Sequence, residues 1–214
     1  MTPPASSARR AYWLKTLHEW HWVSSALCLV GMLLFSLTGI TLNHAADIEA
    51  RPDILHETAT LPPALRDALR QQQPDVDRQH HGRAPAPAAL ATWLKSQWAV
   101  DARGQDAEWS ADEFYLSLPR PGGDAWVRIA LDDGSAEYER TDRGWIAYLN
   151  DLHKGRHTGV AWRWFIDVFA AAALLFSLTG LLILKMHAGR RPFTWPMVGM
   201  GLLAPLLLAL LLIH

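Results

Sequence analysis

The chain has 214 residues, half of them hydrophobic, and a formal net charge of -1. Its 20 Lys and Arg are few and placed by membrane topology, which argues against nucleic-acid binding. Its one cysteine, Cys28, excludes an intrachain disulfide.

Residues 1–21 read as a short tail that becomes helical near Ala11 and carries Arg9, Arg10 and Lys15. Residues 22–44 hold the first apolar stretch, Trp22 to Leu42, which has no charge. About twenty apolar residues in a helix cross the hydrocarbon layer of a bilayer. The stretch is too long for a signal-peptide core and ends in Ile40-Thr41-Leu42-Asn43-His44 rather than a cleavage site, so it reads as an uncleaved anchor.

Residues 45–152 form the segment between the first two spans. A loop through His56 leads to a helix over 61–73, and a flexible polar loop over 74–87 carries His80 and His81 as adventitious surface histidines. Leu90, Trp93, Leu94 and Trp98 stand at helical spacing over 88–100. The period then changes to that of strands, at 113–118, 125–131 and 136–140, with Asp133-Gly134 as a hairpin signal. The expected domain is small and α+β. Its thin core predicts that it leans on the membrane helices or on a partner.

Residues 153–187 hold an interfacial segment and the second apolar stretch, Val160 to Leu184. Residues 188–192 are a turn, and 193–214 the third stretch. The fold expected is thus an integral membrane protein with three transmembrane helices and an α+β domain inserted between the first two. Arg9, Arg10 and Lys15, with Lys185, Arg190 and Arg191, place the N-terminus and the second turn in the cytoplasm by the positive-inside rule. The segment 45–151 carries 19 Asp and Glu against 11 Lys and Arg, and is expected outside, in the periplasm, as is the C-terminus.

One block occurs twice. Leu33-Leu34-Phe35-Ser36-Leu37-Thr38-Gly39-Ile40 in the first span matches Leu174-Leu175-Phe176-Ser177-Leu178-Thr179-Gly180-Leu181 in the second. Leu17-His18 with His21 precedes the first, and Leu152-His153 with His157 the second. The two spans run in opposite directions, which resembles an inverted repeat. Ser36, Thr38, Ser177 and Thr179 can bond across helices, and Gly31, Gly39 and Gly180 permit close helix packing.

Ten histidines are the most informative chemical feature. His18, His21 and His187 stand at one end of the spans, and His44, His153 and His157 at the other. Facing helices can present axial imidazoles to haem, whereas interfacial anchoring explains the same positions without a cofactor. Only His153 and His157 approach a direct metal spacing, at i and i+4. Arg163 and Asp167 are also at i and i+4, as an ion pair or a proton site. No Gly-rich nucleotide fingerprint and no nucleophile elbow are present, so neither a nucleotide cofactor nor a catalytic nucleophile is expected.

His18-Glu19-Trp20-His21-Trp22-Val23-Ser24-Ser25, the two Phe-Ser-Leu-Thr-Gly blocks and Leu152-His153 to Gly159 resemble the PepSY-associated transmembrane helix family. Larger members include bacterial inner-membrane ferric-siderophore reductases. That resemblance implies two b-type haems per chain, an outer one on His44 with His153 or His157 and an inner one on His21 or His18 with His187. The function it implies is electron transfer to a periplasmic ferric-siderophore or similar acceptor, with quinol or a cytoplasmic reductase as donor. The short chain implies a homodimer or a partner membrane subunit. The alternative the family offers is a non-enzymatic, membrane-anchored regulator or protease-interaction protein, or a transport accessory subunit.

Overall fold

The computed structural model describes residues 5–48, 51–80 and 82–213, apart from the side chains of 5–8, 73–80 and 190. In chain order the elements are α1 (Ala5–Asn43), β1 (Asp53–Thr60), α2 (Pro63–His80), β2 (Arg83–Pro85), α3 (Ala88–Trp98), β3 (Asp106–Trp109), β4 (Glu113–Ser117), β5 (Gly123–Ala130), β6 (Ser135–Asp142), α4 (Gly144–Lys154), α5 (Gly159–His187) and α6 (Thr194–Leu212). They form two compact units, Met1–Ser36 with Arg163–His214, and Leu37–Trp162.

Three helices are long and apolar enough to cross a bilayer: α1 over Arg9–Asn43, α5 and α6. A helix satisfies its backbone groups within itself, as hydrocarbon requires. The chain is a multi-pass membrane protein. In the membrane unit, Phe35 stacks on Phe169 with ring centroids 4.9 Å apart. Gly31 admits the Phe169 ring, and any Cβ there would collide with it. Helix α6 buries no residue and keeps Pro205 inside its length.

The second unit carries one six-stranded sheet of order β1-β6-β5-β4-β3-β2, in which the paired strands are all antiparallel. Alternation sets its faces. Ala107 and Trp109, Phe114 and Leu116, Ala125, Val127 and Ile129, and Ala136 and Tyr138 point into the core. Leu69 of α2 and Leu90, Leu94 and Trp98 of α3 complete it. Trp98 stacks on Tyr138 at 5.6 Å, and Trp109 meets Phe114 edge-on at 5.1 Å. The domain therefore has a core of its own, larger than the expected thin one. The spacing of large apolar residues understated that core because alanines fill much of it.

Several local expectations change. The stretch through His56, expected as a loop, contains β1; all its residues but Ala59 are exposed, so pairing with β6 more than burial makes it a strand. Helix α2 runs through Pro74 to His80, where a loop was expected. Strand β3 and helix α4 carry weak periodicity and were not anticipated. Helix α4 ends where Gly155 takes the left-handed conformation, φ 66°, and its N–H reaches the Asp151 and Leu152 carbonyls. Gly122, at φ 75°, forms the turn that holds α4: its N–H donates to Asp151 Oδ2 at 2.9 Å, and its carbonyl accepts the Arg143 N–H at 2.8 Å.

At the β5–β6 turn the Ser135 amide donates to Asp133 and holds that carboxyl below its ordinary value. A depressed carboxyl stabilises the fold above its unfolded pKa, and the contribution is lost as pH falls through the folded value.

Phe114 is fully buried, and Phe114→Ala is expected to destabilise the domain by about 3–5 kcal/mol. A Cβ at Gly122 would stand 2.8 Å from the Tyr148 Cα, so Gly122→Ala should also lower stability. Denaturant unfolding of the full chain in detergent, followed by tryptophan fluorescence, measures both.

Candidate functional site

Among the described residues, the buried polar side chains are Ser24, Thr38, Asn150 and Thr179. Three of the four belong to two similar contacts, each made within one unit.

In the membrane unit, His21 of α1 reaches α5. Its Nδ1 lies 3.0 Å from Thr179 Oγ1 and 3.2 Å from the Phe176 carbonyl. A carbonyl only accepts, so Nδ1 carries the proton. Thr179 in turn donates its hydroxyl to the Leu175 and Phe176 carbonyls. The imidazole lies flat on Phe176, centroids 4.6 Å apart. Gly180 makes room for it, since a Cβ there would stand 3.2 Å from His21 Cε1. Ser24, one turn along α1, donates to the Trp20 carbonyl at 2.7 Å.

In the other unit, His153 in the last turn of α4 meets Thr38 of α1, Nδ1 to Oγ1, at 2.7 Å. A Cβ at Gly39 would lie 3.7 Å from His153 Cε1. Thr41 donates to Asn150 Oδ1 at 2.8 Å, which satisfies a buried amide beside the same contact. Both copies of the Leu-Thr-Gly block thus use the Thr to bind an imidazole, and the Gly lies beside the ring, closely at Gly180 and at ordinary contact distance at Gly39.

The remaining histidines have other partners. The Nδ1 atoms of His18 and His187 bond to the carbonyls four residues back, Leu14 at 2.7 Å and Ile183 at 2.9 Å. Their rings stand edge to face with centroids 6.2 Å apart. His44 bonds to Asp47 at 3.1 Å, not to His153 or His157. His157 accepts from Arg156 Nε at 3.1 Å. It lies beyond the end of α4 with φ 56°, so the i, i+4 register with His153 is interrupted at Gly155. No ion pair joins Arg163 to Asp167 among the described residues, and both side chains are exposed. Ser177 bonds to its own helix at Ala173. His81, His214 and the side chain of His80 lie outside the described residues. Asn150 and Thr41 were missed from sequence; the nearest signal was an amide next to Asp151 at the mouth of the second span.

A family model described as PepSY_TM-like matches residues 12–214, which takes in all three membrane helices and the sheet domain. The chain belongs to that family. No curated protein and no solved structure matches it significantly.

The PepSY_TM-like assignment changes the functional reading. Nothing in the match singles out ferric-siderophore reductases. PepSY-type modules are generally non-catalytic and associated with regulation and proteases. Among the described residues no group of three or more His, Cys, Asp and Glu is placed to hold a metal ion. The expected haem-binding electron-transfer function, with its oxidoreductase and iron chemistry, is corrected on these findings. His18, His21, His44, His153, His157 and His187 each have a ring nitrogen engaged by protein. For His21 and His153 that partner lies on another helix, which gives the histidine pattern a structural cause.

His21→Ala, Thr179→Val and the double variant form a mutant cycle. The expected coupling is about 0.6–1.7 kcal/mol, the range for hydrogen bonds between membrane helices. Unfolding in mixed micelles measures it, and additive single effects would show that the bond contributes nothing. An oxidised-minus-reduced absorption spectrum of the purified chain should show no haem bands; two haems per chain would reverse the correction.

Proposed function

We propose that the chain is a membrane-anchored regulatory module of the PepSY type, whose domain receives an extended segment of a protease or of a protease's substrate. In this reading the N-terminus is cytoplasmic, and the domain and the C-terminus lie in the periplasm of a bacterial inner membrane. The flanking charges Arg9, Arg10, Lys15, Lys185 and Arg191 support that orientation.

Strand β1 carries the reading. It pairs with β6 along its eight residues, Asp53 with Asp142 through Thr60 with Ser135. It is the terminal strand of the sheet, so its other edge is open. An open edge offers backbone donors and acceptors to an added strand. The opposite edge strand, β2, is three residues long and ends in Pro85, two features that discourage pairing. Strand β1 is long and regular, with Ile54 and Leu55 exposed. Asp53 and Glu57 on it, and Glu137 and Glu139 on β6 beside it, favour a basic segment.

A photoreactive residue at Ile54 in the full chain, in native membranes, should cross-link a periplasmic protein. The same residue at Arg128 in β5, away from the edge, should not. Charge reversal by Asp53→Lys with Glu57→Lys should cut the cross-link at least tenfold and alter turnover of the protease's substrate. Equal labelling from both positions, or no effect of the reversal, overturns the reading.

A further inference from the structure

The membrane unit has a groove that neither the sheet domain nor the imidazole contacts use. It lies between the first turns of α1 and the last turns of α5, with a volume of about 590 Å³. Trp13, Leu17, Leu182 and Met186 form its apolar wall, and Arg9, Arg10 and Lys185 its cations. Among the described residues no acidic side chain lines it. Glu19, the nearest acid along α1, is bridged to Lys15 at 3.9 Å.

Arg10 is fixed by structure. Its Nη2 donates to the Met186 carbonyl at 2.9 Å. That carbonyl is one of the unpaired acceptors at the end of a helix, where the partial charge is negative and repels an anion. Arg10 offsets it, so the groove keeps a positive character despite the helix end. The volume falls within the range of about 300–1,000 Å³ usual for small-molecule sites. Both walls belong to membrane-crossing helices, so the apolar side adjoins acyl chains and the cations stand at the level of lipid headgroups. Basic pockets between membrane helices take anionic headgroups in this way.

We infer that this groove binds one anionic glycerophospholipid. Its phosphate is held by Arg9, Arg10 and Lys185, and its upper acyl chain runs along Leu17 and Leu182. A soluble phosphate would use the cations and leave the apolar wall unfilled; a zwitterionic lipid would fill the wall and bring a cation to the three already present.

Native mass spectrometry of the full chain, delipidated in detergent and then given phosphatidylglycerol or phosphatidylcholine, tests this. The expected result is one phosphatidylglycerol retained and no phosphatidylcholine. The combined variant R9Q/R10Q/K185Q should weaken retention at least tenfold, and Lys15→Gln, outside the groove, should not. Leu17→Trp, which fills the groove and keeps every charge, should lose the lipid as well; it decides the matter if the triple variant does not fold. Equal retention of both lipids, retention by the triple variant or by Leu17→Trp, or equal binding of glycerol 3-phosphate or inorganic phosphate in competition, would overturn the inference.

Discussion

A hydroxyl or imidazole inside a membrane has no water to turn to, and an unmet donor or acceptor there costs several kcal/mol. Thr38 and Thr179 answer that constraint by meeting His153 and His21. Each contact pins the chain before the second span to the first, or the first to the second. Gly180 is part of the same solution, because a Cβ there would crowd the His21 ring at 3.2 Å. The duplicated block is therefore a duplicated joint, and His21 and His153, two of the six histidines that looked like ligands, are its other half.

The sheet domain obeys a different constraint. Its stability comes from water, through burial of Phe114, Leu116, Val127, Ile129 and the α3 face. Alternation along β4 and β5 divides core from surface, and the Gly122 turn with Asp151 ties α4 to the sheet. That leaves β1 as an exposed ledge, joined to the domain along one edge only. An edge strand of this length is a hazard unless something pairs with it, and a regulatory module is one setting in which the hazard is also the working surface.

Charge is segregated to match. The cations of the membrane unit collect at the first turns of α1 and the last turns of α5, and the inserted domain is acidic. The same asymmetry leaves the groove at Arg10 positive and the inserted domain acidic.

The three spans were legible in the sequence because hydrocarbon thickness imposes a run length that few soluble segments share. The strands at Phe114 and Val127 were legible because one face is dry and the other wet, which writes a period of two into the residues. The repeat was visible as well, down to Thr38, Thr179 and their glycines. Strand β1 was not, since nearly all its residues face solvent and the β6 ladder holds them. Nor was the extent of α2 across Pro74, or the break at Gly155 that separates His153 from His157. Above all, the partner of each histidine was decided in three dimensions. An imidazole at a helix end can anchor, ligate or donate, and residue type and spacing are the same in each case. Only the position of Thr179 beside His21, and of Thr38 beside His153, selected a hydrogen bond across helices.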